Sequence, residues 1–203
     1  MLEAERERAE LGDLLRGLSA EQWEAPSLCA QWTVREVVAH VLSYEGLGLA
    51  AVASRIVRGR LSLGRINAVA LSPHARATPE ELVQRLREFP RPTGLTAARG
   101  GAVGLVDALI HQQDIRRPLD QPRDIDPDRL RYALRFTVAA PPLRGAWKVR
   151  GVRVVATDVD WAHGRGVEAR GPGEAVLMAM AGRAGAADDL TGPGSEVLRR
   201  RFG

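Results

Sequence analysis

Between residues 3 and 119 of this 203-residue chain, apolar side chains recur at helical spacing in several segments separated by loops. After Pro141-Pro142 the pattern changes to short alternating runs between glycine-containing turns. A chain patterned this way folds as a helical part followed by a small mixed part. In the first helix, residues 3–18, Ala4, Leu11, Leu14, Leu15 and Leu18 share a face, and SAEQW after it makes a short turn anchored by Trp23. Thr33-Val34-Arg35-Glu36 is a capping box, with the Thr33 hydroxyl placed to accept the Glu36 amide while the Glu36 carboxylate reaches back. The amphipathic run Val34, Val37, Val38, Val41, Leu42 is expected to continue into the 50s, and residues 61–72 to add a weaker helical segment. Thr78-Pro79-Glu80-Glu81 starts another helix, which reaches Phe89 and ends at Pro90.

The segment Pro90–Gly104 reads as a loop. Its ARGGAVG lacks the Gly-Lys-Ser/Thr of a phosphate-cradling loop and has no strand before it. Gly104–Leu119 is the next helix, Asp120–Pro127 a linker, and residues 128–138 a further helix. Trp147–Val149, Val152–Thr157 and Val167–Arg170 read as strands, Pro172–Ala181 as a helix and Ser195–Phe202 as a short basic helix. The fold class is therefore α+β, with domains expected at 1–122 and 123–203.

Within Gly104–Leu119, Asp107 and His111 stand at i and i+4, one above the other on a helix face, with Cβ atoms about 5–6 Å apart. They can take two positions of one metal ion or form a structural pair. His40, inside the helix that Thr33 starts, is a third donor if the two helices are neighbours. Two imidazoles and a carboxylate suit Zn²⁺ foremost, and also Ni²⁺ or Fe²⁺, and leave a coordination position open. His74 and His163 lie in loop-like polar surroundings. Cys29, the one cysteine, excludes an intrachain disulfide and reads as a small core residue rather than a nucleophile.

Composition narrows the function classes. The net charge is +4, but the basic residues are arginines interspersed with acids, Lys148 is the one lysine, and aromatics are 4%. That distribution argues against a nucleic-acid surface. No run approaches the roughly 18 apolar residues of a membrane span. The N-terminus alternates acidic and basic residues with no basic-then-apolar leader, so a cytoplasmic protein without membrane partners is expected.

Over nearly its whole length the chain resembles the DinB-like, mycothiol-dependent maleylpyruvate isomerase family. The residues that carry the resemblance are PSLCAQWTVREVVAHV, ALIHQQDIRRPL and the C-terminal pieces ATDVDWAHG, RGPGEAVLMAMAGR and LTGPGSEVLRRR. It implies a DinB-like four-helix bundle carrying a divalent metal, then a small α/β domain similar to sterol carrier protein 2. His40 matches the histidine of the family's WTVRxxxAH motif and His111 that of the later helix, while Asp107 falls where the isomerase has glutamate. Arg183 matches the family's arginine from the C-terminal domain. The resemblance further implies mycothiol as cofactor, supplying the thiol that the protein itself does not offer. Arg116, Arg117 or Arg183 would then hold carboxylates. The function so implied is thiol-dependent S-transfer to, or isomerisation of, a small-molecule substrate. The alternative is a non-catalytic small-ligand or metal-binding protein of the same fold.

Overall fold

The computed structural model describes residues 1–29, 32–60, 65, 66, 70, 77–140 and 143–202. Most of the helical segment expected over residues 61–72, together with His74 and the Pro141-Pro142 pair, lies outside them. The chain divides into two compact units, Met1–Gln121 and Pro122–Gly203. The class is α+β: among the described residues there are ten α-helices and one three-stranded sheet.

In the first unit the helices are α1 (Leu2–Arg16), α2 (Ala20–Trp23), α3 (Val34–Leu42), α4 (Leu49–Arg58), α5 (Pro79–Glu88) and α6 (Ala98–Arg116). Both predicted capping boxes form. Thr33 Oγ1 accepts the Glu36 amide at 3.3 Å while the Thr33 amide donates to Glu36 Oε2 at 2.9 Å. Thr78 and Glu81 repeat the arrangement with the same two distances. Helices α1 and α3 each pack against both α5 and α6. Their shared core joins Leu11, Leu14 and Leu15 of α1 to Val37, Val38, Val41 and Leu42 of α3, Leu82 and Leu86 of α5, and Ile115 of α6. Burying such aliphatic side chains removes apolar surface from water and holds the four helices in register.

Two expectations need correction here. The helix begun at Thr33 does not run into the 50s: it stops at Leu42, turns through Ser43–Gly46 and restarts at Leu49. Gly46 stands at φ +71, which leaves the helical region and is open to glycine without a Cβ penalty. The loop expected up to Gly104 is a 3-10 turn, Gly94–Ala97, followed directly by α6. A kink at Arg99, Gly100 and Gly101, all with positive φ, separates the first residue of α6 from the regular helix that carries Asp107 and His111.

A buried ion pair ties these pieces together. Arg8 of α1 donates to Glu45, just past α3, and to the Phe89 carbonyl at 2.8 Å. Glu45 also accepts from the Thr93 amide at 2.8 Å, from the Thr93 hydroxyl at 3.0 Å and from Thr96 Oγ1 at 2.7 Å.

The second unit contains α7 (Pro127–Ala139), α8 (Gly145–Lys148), β1 (Val152–Ala156), β2 (Ala162–His163), β3 (Val167–Gly171), α9 (Gly173–Ala181) and α10 (Pro193–Phe202). The strand order is β2-β1-β3, with β1 antiparallel to β2 and parallel to β3. Trp147–Val149, expected as a strand, is instead the end of the one-turn helix α8 and the residue after it. Helix α9 is buried along its length, and Asp158 Oδ1 accepts the Gly173 amide at 2.8 Å at its start. At its end Lys148 Nζ donates to the Ala181 carbonyl at 2.6 Å, and Arg183 Nη1 reaches the same oxygen at 3.4 Å.

Candidate metal site

Helix α3 buries Val34, Val37, Val38 and Val41, and that burial fixes which way His40 points. Helix α6, packed against α3, brings Asp107 and His111 to meet it. His40 Nε2 lies 4.0 Å from Asp107 Oδ1, and His111 Nε2 lies 3.6 Å from the same oxygen. One donor atom from each of the three lies within 4.8 Å of the others. The two imidazole rings meet edge to face, centroids 4.8 Å apart at 74°. Both histidines are buried, while Asp107 keeps 27% of its side chain exposed.

The far side of His111 is equally defined. Its Nδ1 lies 2.9 Å from Oδ2 of Asp114, one turn further along α6 and fully buried. The Cys29 thiol donates to that oxygen at 3.0 Å and lies 3.6 Å from His111 Nδ1. The loop carrying Cys29 is held there by the Leu28 amide, which donates to the Asp114 carbonyl at 3.0 Å. Cys29 does pack against the helical core, as a small core residue should, but its sulfur is engaged in this polar cluster.

The charges follow from these contacts. Burial opposes a proton on His111. The Asp107 charge, the Asp114 carboxylate and the Cys29 contact outweigh it and raise the pKa to about 10. Burial pushes the Asp107 carboxyl up; His111 and Arg8 pull it back, while Glu45 and Asp114 add to the rise. These contacts favour the protonated form of the imidazole, which lies between the Asp107 and Asp114 carboxyl groups.

Around His40 lie Trp32, ring centroid 5.0 Å away, and Tyr44, edge-on at 5.5 Å. Burial raises the Tyr44 phenol, and the Asp107 charge adds to the rise, partly opposed by Arg55. The Arg55 guanidinium stands 5.6 Å above the Tyr44 ring and donates to the Ser43 carbonyl at 2.7 Å.

Of the residues expected to form the site, the structure brings His40, Asp107 and His111 together. Arg116, past them on α6, donates to Gln112 Oε1 at 2.9 Å and to the Gln121 carbonyl at 3.4 Å. Arg117 caps the end of α6. Arg183 belongs to the second unit, as does His163, which pairs with Val154 between strands. Sequence reasoning missed Asp114, Cys29, Tyr44 and Arg55 as neighbours of the site. For Asp114 a signal was present, since a carboxylate three residues after His111 shares its helix face.

Comparison with known proteins finds one family match, within the first unit. Residues 4–91 match the family described as the mycothiol maleylpyruvate isomerase N-terminal domain. Over those residues the match agrees with the resemblance to the DinB-like, mycothiol-dependent isomerase family that the motifs carry. It includes His40 and ends before Asp107 and His111. No curated protein matches the chain, and no solved structure does.

Proposed function

We propose that the protein is a divalent-metal-dependent enzyme that uses a low-molecular-weight thiol, mycothiol, for S-transfer to, or isomerisation of, a small electrophilic substrate. The observation that carries this reading is the convergence of His40, Asp107 and His111. Ligands around a tetrahedral Zn²⁺ stand about 3.3–3.6 Å apart. The 3.6 Å separation fits that spacing, and the 4.0 Å one needs to close by a few tenths of an ångström. Two nitrogens and one oxygen are a donor set for Zn²⁺, Ni²⁺ or Fe²⁺, and three protein ligands leave room for a fourth. A bound dication would keep a thiol beside it in the reactive thiolate form at neutral pH.

The protein's own groups define the rest. His40 and His111 present Nε2, and Asp107 adds a carboxylate beside them. Trp32 covers one side of His40. Tyr44 keeps its phenolic proton and can donate a hydrogen bond, and Arg55 adds a cation for an anionic group on the substrate. Arg116 and Arg117 are proposed to hold the thiol cofactor, and Arg183 to contribute a guanidinium to catalysis. The packing of α1, α3, α5 and α6 on one another supports reading the first unit as a DinB-type four-helix bundle. The second unit is proposed to be the domain similar to sterol carrier protein 2. No helix among the described residues is long and apolar enough to cross a membrane.

One observation favours a second reading, a non-catalytic binding protein of the same fold. With its pKa raised to about 10, His111 favours its protonated form at neutral pH, and that charge offsets part of the Asp107 and Asp114 charge without a metal. Zn²⁺-loaded protein incubated with mycothiol and a panel of electrophiles separates the two. Thiol-dependent consumption of an electrophile, lost in His111→Ala, is expected for the enzyme. Metal retained with no consumption in any thiol would contradict it and leave the binding protein.

A further inference from the structure

Cys29, Asp114 and the inner nitrogen of His111 form a second cluster of donor atoms, back to back with the first. Its distances decide what it is. Asp114 Oδ2 lies 2.9 Å from His111 Nδ1 and 3.0 Å from Cys29 Sγ. These are hydrogen-bond lengths, shorter than the about 3.3–3.6 Å between ligands of one tetrahedral ion. A carboxylate oxygen accepting an N–H and an S–H explains both contacts without a cation.

We propose that Asp114 and Cys29 are a positioning pair that locks the His111 ring, with Nδ1 turned inward as a donor and Nε2 turned out toward Asp107 and His40. The proposal rests on the metal-site reading above and adds two residues to it. Asp114 is fully buried, so its carboxylate answers to these neighbours rather than to water. The Cys29 thiol occupies part of its remaining acceptor capacity and limits rotation of the carboxylate. The Leu28 amide on the Asp114 carbonyl brings the loop to α6, so the loop before α3 and the helix bearing His111 are registered at the point where the ring must be aimed. A histidine that donates its other ring nitrogen to a carboxylate is fixed in tautomer and orientation, and its ligating nitrogen becomes a better donor. The pair touches neither substrate nor metal and acts through His111.

Two measurements test the pair. In metal-free protein, proton NMR is expected to show a slowly exchanging, strongly downfield His111 Nδ1 proton that moves upfield in Asp114→Asn and shifts in Cys29→Ala. Cys29→Ser, which can still donate, is expected to keep it. In metal titrations, Asp114→Asn is expected to bind Zn²⁺ about tenfold to hundredfold more weakly and to alter the visible spectrum of bound Co²⁺. Cys29→Ala should weaken binding less, and Cys29→Ser should match wild type. An Asp114→Asn protein with a lower melting temperature but unchanged Zn²⁺ affinity and Co²⁺ spectrum would overturn the positioning role. If Asp114→Asn does not fold, Cys29→Ala decides, and an Nδ1 resonance unaffected by it would overturn the pair. Wild-type protein that takes up no metal would defeat the proposed function, while the Nδ1 proton would still decide the inward half of this inference.

Discussion

Each candidate ligand carries a distinct consequence when changed. His40→Ala and His111→Ala are expected to reduce bound metal from about one equivalent to near zero, read by elemental analysis. Asp107→Glu restores the residue type that the resemblance assigns to this position and is expected to retain metal, whereas Asp107→Ala should lose most of it. Because its carboxylate neighbours raise the His111 pKa to about 10, metal binding at Nε2 competes with a proton. Apparent Zn²⁺ affinity should therefore fall as pH falls from 8 to 6, by up to about tenfold per unit for each proton displaced. A pH-independent affinity in a titration over that range would show that His111 is neutral in the metal-free protein.

Asp107 and His111 could be paired from the sequence because one helix turn sets their spacing. His40 joined them on donor chemistry and the premise of neighbouring helices. The Cys29 contact was not legible: it depends on Leu28 and Cys29 meeting α6 at Asp114, a non-local pairing that the local sequence does not signal. Tyr44 and Arg55 were hidden for a related reason, since both follow from the break after Leu42.

Helix starts were legible and helix ends less so. Thr33 and Thr78 each announce a helix through a local, reciprocal pair of hydrogen bonds that needs no tertiary partner. Thr33→Ala should cost about 1 kcal/mol and lower the melting temperature by roughly 2–4 °C. The interruption at Ser43–Gly46 arises instead from a tertiary demand: Glu45 must leave the helix to meet Arg8, Thr93 and Thr96. Removing that carboxylate strands a buried guanidinium, so Glu45→Ala should destabilise the fold by about 3–5 kcal/mol in denaturant unfolding. The short run Trp147–Val149 failed as a strand because three residues of alternation do not separate an extended piece from a single helical turn.

Across the molecule, the change from helical to alternating spacing gave the α+β class, because periodicity reports which face of each element is buried. Sheet order was beyond it, since the parallel pairing of β1 with β3 and the short antiparallel β2 are fixed by non-local contacts. The second unit has its own electrostatic signature. Burial, with Arg183 and Arg144 nearby, lowers the Lys148 pKa from 10.5 to about 8. The unfolded chain then binds more protons than the folded one between about pH 8 and 10.5, so this group makes stability rise with pH across that window. Lys148→Met should flatten the rise in thermal unfolding measured between those values.

The central claim is that His40, Asp107 and His111 hold one divalent ion, and metal analysis of protein prepared without a histidine tag or chelator tests it most directly. Near one equivalent of Zn²⁺, Ni²⁺ or Fe²⁺ in the wild type, absent from His111→Ala prepared in parallel, is the predicted result. No bound metal in the wild type, even after each of the three ions is added back, would contradict it.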